Sequence, residues 1–137
     1  MKKIIIVLLV SITSINCSSD DSTSAPTPSY NFENQTFIFL HFQTEKECID
    51  AQPNPDFFIN CHKQIDFLEN RQVNILLTDI LHSGTYSLKD GMLILNFEAN
   101  SEIPQGEITF EIITSSQIKN VDDNTIWNKM KGNSIWN

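Results

Sequence analysis

Between Gly84 and Phe97 two alternating apolar runs are joined by Lys89-Asp90-Gly91. An Asp-Gly pair in that setting is the strongest short-range signal for a β-hairpin. Its tight turn needs positive φ at both central residues, which Gly tolerates and Asp accepts, so the flanking strands fold back on each other. Tyr86 and Leu88 then share a face with some of Leu93, Leu95 and Phe97.

The same pattern recurs along the chain. Thr36 to Phe42 carries apolar side chains on both faces, Phe37 and Phe39 opposite Ile38, Leu40 and Phe42, as a well-buried strand does. Lys63 to Leu68 sets Ile65 and Phe67 on one face; the polar turn Glu69-Asn70-Arg71 leads into Gln72 to Ile80, with Val73, Ile75 and Leu77 aligned. Pro104-Gln105-Gly106 marks another turn before Ile108, Phe110 and Ile112. Ser116 to Val121 and Thr125 to Met130 form a terminal hairpin around Asp122-Asp123-Asn124, ending near Trp127. About eight short strands result, with no amphipathic helix longer than two turns. The expected fold is all-β: a small antiparallel up-and-down β-barrel or a sandwich, built from sequential hairpins. A chain of 137 residues suits a single core, and nine Phe with two Trp and two Tyr supply large side chains for it.

The first 30 residues follow different rules. Met1-Lys2-Lys3 is a short positive segment, and Ile4 to Val10 is an unbroken apolar run continued by Ile12 and Ile15, the form of a secretory signal. A membrane-spanning helix needs about 20 mainly apolar residues; here Ser11, Thr13, Ser14 and Asn16 interrupt the run and Asp20-Asp21 stops it. Ser14-Ile15-Asn16-Cys17, directly after the apolar stretch, resembles the lipobox of bacterial lipoproteins, with Ser14 and Asn16 where that family prefers Leu and a small residue. The resemblance implies cleavage after residue 16 and lipid on Cys17; an ordinary secreted protein, cut nearby and keeping a free or disulfide-bonded Cys17, is the alternative. Ser18-Ser19-Asp20-Asp21-Ser22 resembles an acidic export signal of some Gram-negative lipoproteins, which implies the outer membrane and its cell-surface leaflet.

Several acyl chains would make attachment effectively permanent, since each buried methylene contributes about 0.8 kcal/mol. Residues 17–29 hold the lipidated cysteine and a Ser-, Thr-, Asp- and Pro-rich stretch with no large apolar side chain, which reads as a disordered tether. Residues 30–137 form the β domain. Nine Lys and Arg stand against 17 Asp and Glu, and without Lys2 and Lys3 the balance becomes roughly −10. That excludes a nucleic-acid partner, which needs a basic footprint, and leaves membrane attachment to the lipid rather than to a polybasic patch.

Within the domain, Ile65 to Asn70, Ser83 to Phe97 and Thr125-Ile126-Trp127 are similar to the lipocalin-like domains of small bacterial lipoproteins, over residues 33–131. The resemblance implies a barrel that can hold a small apolar ligand, and the candidate lining residues are Phe37, Phe39, Phe67, Tyr86 and Phe97. With Cys17 lipidated, Cys48 and Cys61 remain as a pair in an oxidising compartment and are expected to form a disulfide. It would staple the stretch from Glu45 to Asn60, the longest irregular segment, which either only stabilises the domain or forms a binding surface around Phe57-Phe58.

A metal site would recruit Cys48, Cys61 and His62, with His41 or His82, but the usual ligand spacings are missing and no metal or other cofactor is expected. Neither a nucleophile elbow nor a phosphate-cradling glycine loop is present, and Asp66, Asp79 and Glu98 read as solvated positions. The expectation is a non-enzymatic module that binds a small apolar ligand or an envelope component. The alternative is an interaction or inhibitor protein that docks through the Cys48–Cys61 loop. The repeated Ile-Trp-Asn at 126–128 and 135–137 reads as coincidence or a packed tail.

Overall fold

The large apolar side chains that alternation sets apart point into one shared interior. A computed structural model of the chain describes residues 30–54 and 58–136. The expected signal segment, Cys17, the expected tether and Phe57 lie outside these residues.

Eight strands run in sequence order around a closed barrel, each antiparallel to the next: β1 (Gln35–Leu40), β2 (His62–Phe67), β3 (Gln72–Leu76), β4 (Leu81–Lys89), β5 (Met92–Phe97), β6 (Glu107–Thr114), β7 (Gln117–Asn120) and β8 (Ile126–Lys129). β8 closes on β1 through Phe37 opposite Lys129 and Ile38 opposite Asn128, so the sheet is a barrel rather than a sandwich and leaves no edge row to template aggregation. The β4–β5 turn has Asp90 at φ 51° and Gly91 at φ 78°, as the Asp-Gly signal requires.

Two local expectations are corrected. The strand expected to run from Gln72 to Ile80 ends at Leu76, and its partner starts at Leu81 rather than Gly84; between them, Thr78 gives its hydroxyl to Glu102 instead of extending the ladder. The stretch from Glu45 to Asn60 is not irregular throughout, because Glu45–Asp50 form a short helix, α1. A reciprocal cap starts it. Thr44 Oγ1 accepts from the Glu47 backbone N–H at 3.2 Å, and the Glu47 carboxylate accepts from the Thr44 N–H at 3.3 Å.

The interior is filled by the barrel's own side chains. Phe37, Ile65, Ile75, Leu93, Leu95, Phe110 and Ile118 have no solvent exposure, and Trp127 is buried with them. At the end where β1 starts and β2 stops, the segment before β1 crosses the opening and drops Phe32 into it. The Phe32 ring centroid lies 5.6 Å from Phe37 and 5.1 Å from Phe67. We call this the closed end. The opposite end, the mouth, gathers the β1–β2 loop with α1, the β3–β4 connection and the β5–β6 loop, whose Ile103 is buried in the core.

Gly84 marks a close approach within the wall. A Cβ there would stand 2.1 Å from the Asn96 carbonyl oxygen and 2.6 Å from the Phe97 ring, so the Phe97 side chain covers the space that glycine leaves empty.

Candidate binding site at the barrel mouth

The β1–β2 loop is long, and an unrestrained loop of that length would hold no side chain in a fixed place. Two devices restrain it. Cys48 on α1 is disulfide-bonded to Cys61, just ahead of β2, with the Cα atoms 5.7 Å apart. The Gln52 side-chain amide grips Ile59 in both directions: its oxygen accepts from the Ile59 N–H at 2.7 Å, and its nitrogen donates to the Ile59 carbonyl at 3.2 Å. Cys61 is also tied to the residue that follows β1, its carbonyl accepting from the His41 N–H at 2.9 Å.

Phe58 precedes the gripped residue, yet its side chain is not folded into the core: it is 75% exposed. It stands between two clefts, since both are lined by Phe58 and Asn60. The larger, about 620 Å³, runs toward the β3–β4 connection between Phe42, Ile59, Leu77 and Asp79. The smaller, about 270 Å³, lies against α1 between Glu45, Ile49 and the C-terminal residues Ile135 and Trp136. The tail therefore packs beside the disulfide and builds a wall of the second cleft, while Asn137 lies outside the described residues. Ile49, Ile80 and Leu81 are also exposed at this end, at 63%, 51% and 57%. Like Phe58 they are large apolar side chains left in water at the mouth end.

A polar network braces the wall of the larger cleft. His82 Nε2 lies 2.6 Å from Glu102 Oε2, and Thr78 donates its hydroxyl to Glu102 Oε1. Asn100 Nδ2 stands 3.4 Å from His82 Nδ1; with the amide donating there, the ring carries its proton on Nε2 and directs it at Glu102. Asn100 Oδ1 accepts from the backbone N–H groups of Glu102 and Ile103 at 2.9 and 3.0 Å. The hydrogen bond from Thr78, then that from His82, hold the Glu102 carboxyl below its ordinary pKa. Desolvation, followed by the charges of Lys63 and His62, lowers the His41 pKa below the usual histidine value, leaving that ring neutral at neutral pH.

The five residues expected to line an interior cavity do not line one together. Phe37, Phe67 and Tyr86 are core residues in edge contact, with ring centroids 5.8 and 5.0 Å apart. Phe39 packs on Trp127 at 6.1 Å, and Phe97 covers Gly84. The metal reading loses both its thiols to the disulfide. Among the described residues, no group of three or more His, Cys, Asp or Glu is placed to hold an ion. Asp66 accepts from Thr36 and Gln64 at 2.7 and 2.8 Å rather than standing only in solvent, whereas Asp79 and Glu98 are exposed. Sequence reasoning missed α1, for which Thr44 with Glu47 was a legible capping signal. It also missed Gln52 and the His82–Glu102 pair, which no local signal announces.

The chain matches no protein-family model, no curated protein and no solved structure.

Proposed function

We propose that this is a lipid-anchored lipoprotein of the bacterial outer membrane, facing the cell surface, whose barrel is a non-enzymatic binding module. It engages a second envelope component through its mouth. The observation that carries this reading is Phe58, an aromatic side chain 75% exposed on a loop held by a disulfide and by the Gln52 amide. A large apolar side chain in water gains from transfer into a partner, and ties at Ile59 and Cys61 reduce the entropy lost on binding. The solid interior favours the mouth over a carrier cavity, since a barrel of eight strands is just wide enough for its own side chains.

The direction of the chain agrees with this arrangement. Tyr30 and Phe32 enter at the closed end, so an anchor at Cys17 would hold the barrel from the side opposite Phe58. A second reading, a small apolar ligand at the mouth, is favoured by the roughly 620 Å³ of the larger cleft, within the range of small-molecule sites.

Cys17→Ser should move the protein from the membrane to the soluble fraction, and retention in the membrane would refute the anchor. Phe58→Ala should abolish co-purification of the partner from solubilised envelopes while leaving the circular dichroism spectrum intact. Native mass spectrometry of the same material separates the two readings, because a retained small molecule would favour the second.

A further inference from the structure

The two clefts of the mouth combine apolar walls with a carboxylate each. Asp79 lines the larger cleft and Glu45 the smaller, one on each side of Phe58, and among the described residues neither cleft is lined by a Lys or Arg. Of the lining histidines, His41 is neutral at neutral pH through desolvation and the nearby Lys63. Lys46 on α1 pairs with Asp50 at 2.5 Å on the exposed face of the helix and lines neither cleft. Lys63, near the start of β2, lies opposite Phe39 and is a cation close enough to act on His41 and Glu102, but it lines neither cleft. Glu102, held in its charged form by Thr78 and His82, stands behind the larger cleft's wall. The whole chain carries a formal charge of −8, so long-range attraction reinforces the local pattern.

We infer that the segment accepted at this mouth is a basic amphipathic peptide. It would place one apolar side chain in the cleft on each side of Phe58 and direct lysines or arginines at Asp79 and Glu45. The inference rests on the docking reading above and names the chemistry of the partner. Apolar burial against Phe42, Ile59 and Leu77 on one side and Ile49 and Trp136 on the other supplies affinity. The carboxylates supply selection and speed of encounter, since opposite charge steers association and like charge rejects wrong partners. An acidic or neutral apolar segment would bury the same surface without that preference.

The test uses the full-length chain in phosphatidylcholine nanodiscs, whose headgroups carry no net charge to compete for a cation. Two synthetic peptides with the same Leu and Phe positions are titrated calorimetrically, one bearing Lys at every polar position and one bearing Glu, with empty nanodiscs subtracted. The Lys peptide should bind about tenfold more tightly than the Glu peptide, and raising the salt should narrow that gap. The double variant Glu45→Gln/Asp79→Asn should lose most of the preference, and Phe58→Ala should weaken both peptides; near-UV circular dichroism checks that each variant is folded. Equal binding of the two peptides overturns the inference and leaves the docking reading standing. A Lys-peptide preference unchanged in all variants overturns it too, by placing the peptide elsewhere on an acidic surface. Binding of neither peptide also overturns it, and the docking reading is then decided separately by co-purification with Phe58→Ala.

Discussion

At the closed end Phe32 is 2% exposed and meets Phe37 and Phe67, whereas at the mouth Phe58 is 75% exposed on a loop that is tied down without being buried. The two residues are chemically identical, but the Phe32 ring is held by apolar packing, whereas at Phe58 a disulfide and an amide clamp tie the residues that follow it and leave the ring in water. Packing uses up a ring's apolar surface; the clamp keeps it available. Stability should therefore depend on Phe32 and binding on Phe58.

The largest effect that could break this contrast is at Phe32. Phe32→Ala removes a ring from a packed interior and should cost about 3–5 kcal/mol in urea unfolding; a cost under about 1 kcal/mol would mean that the closed end is not part of the core. Next comes the clamp. Cys48→Ala with Cys61→Ala opens a link between residues 13 apart and should cost about 2–3 kcal/mol, with faster hydrogen exchange confined to the β1–β2 loop rather than spread to Phe32 and Phe37.

Glu102 gives a smaller effect that depends on pH. Its folded pKa lies below the ordinary glutamate value, so its contribution is fully present above that value and is lost as pH falls through the lowered one. Glu102→Gln should cost about 1–2 kcal/mol near pH 7, and the difference from the parent should shrink as pH falls through the lowered carboxyl pKa. Urea titrations of both proteins over a series of acidic pH values measure it. The smallest effect belongs to Phe58: Phe58→Ala should change stability by no more than about 0.5 kcal/mol, as at other exposed positions.

The hairpins were legible because their signals are local. Asp90-Gly91 needs only its own backbone to turn, and Ile65, Phe67, Val73 and Ile75 lie inside because a period of two leaves them no other face. Phe32 was not legible as a plug, since it sits among Asn31, Glu33 and Asn34 with no alternation around it. α1 is too short for a helical period to show, and only its cap announces it. His82 and Glu102 stand 20 residues apart and meet because the β3–β4 connection and the β5–β6 loop share the mouth. Phe37, Phe67 and Tyr86 looked like a lining because apolar inward positions read alike in sequence whether a barrel is hollow or full. Only their ring contacts show how the space is used.

The most direct measurement of the proposed docking is site-specific photo-crosslinking in intact cells that make the protein, with a photoreactive phenylalanine placed at Phe58 in the mouth or at Leu88, which is 42% exposed beside the closed end. A discrete adduct from position 58 and none from position 88 is the predicted result. Adducts from position 88 alone, or the same adducts from both, would contradict a barrel that binds through its mouth.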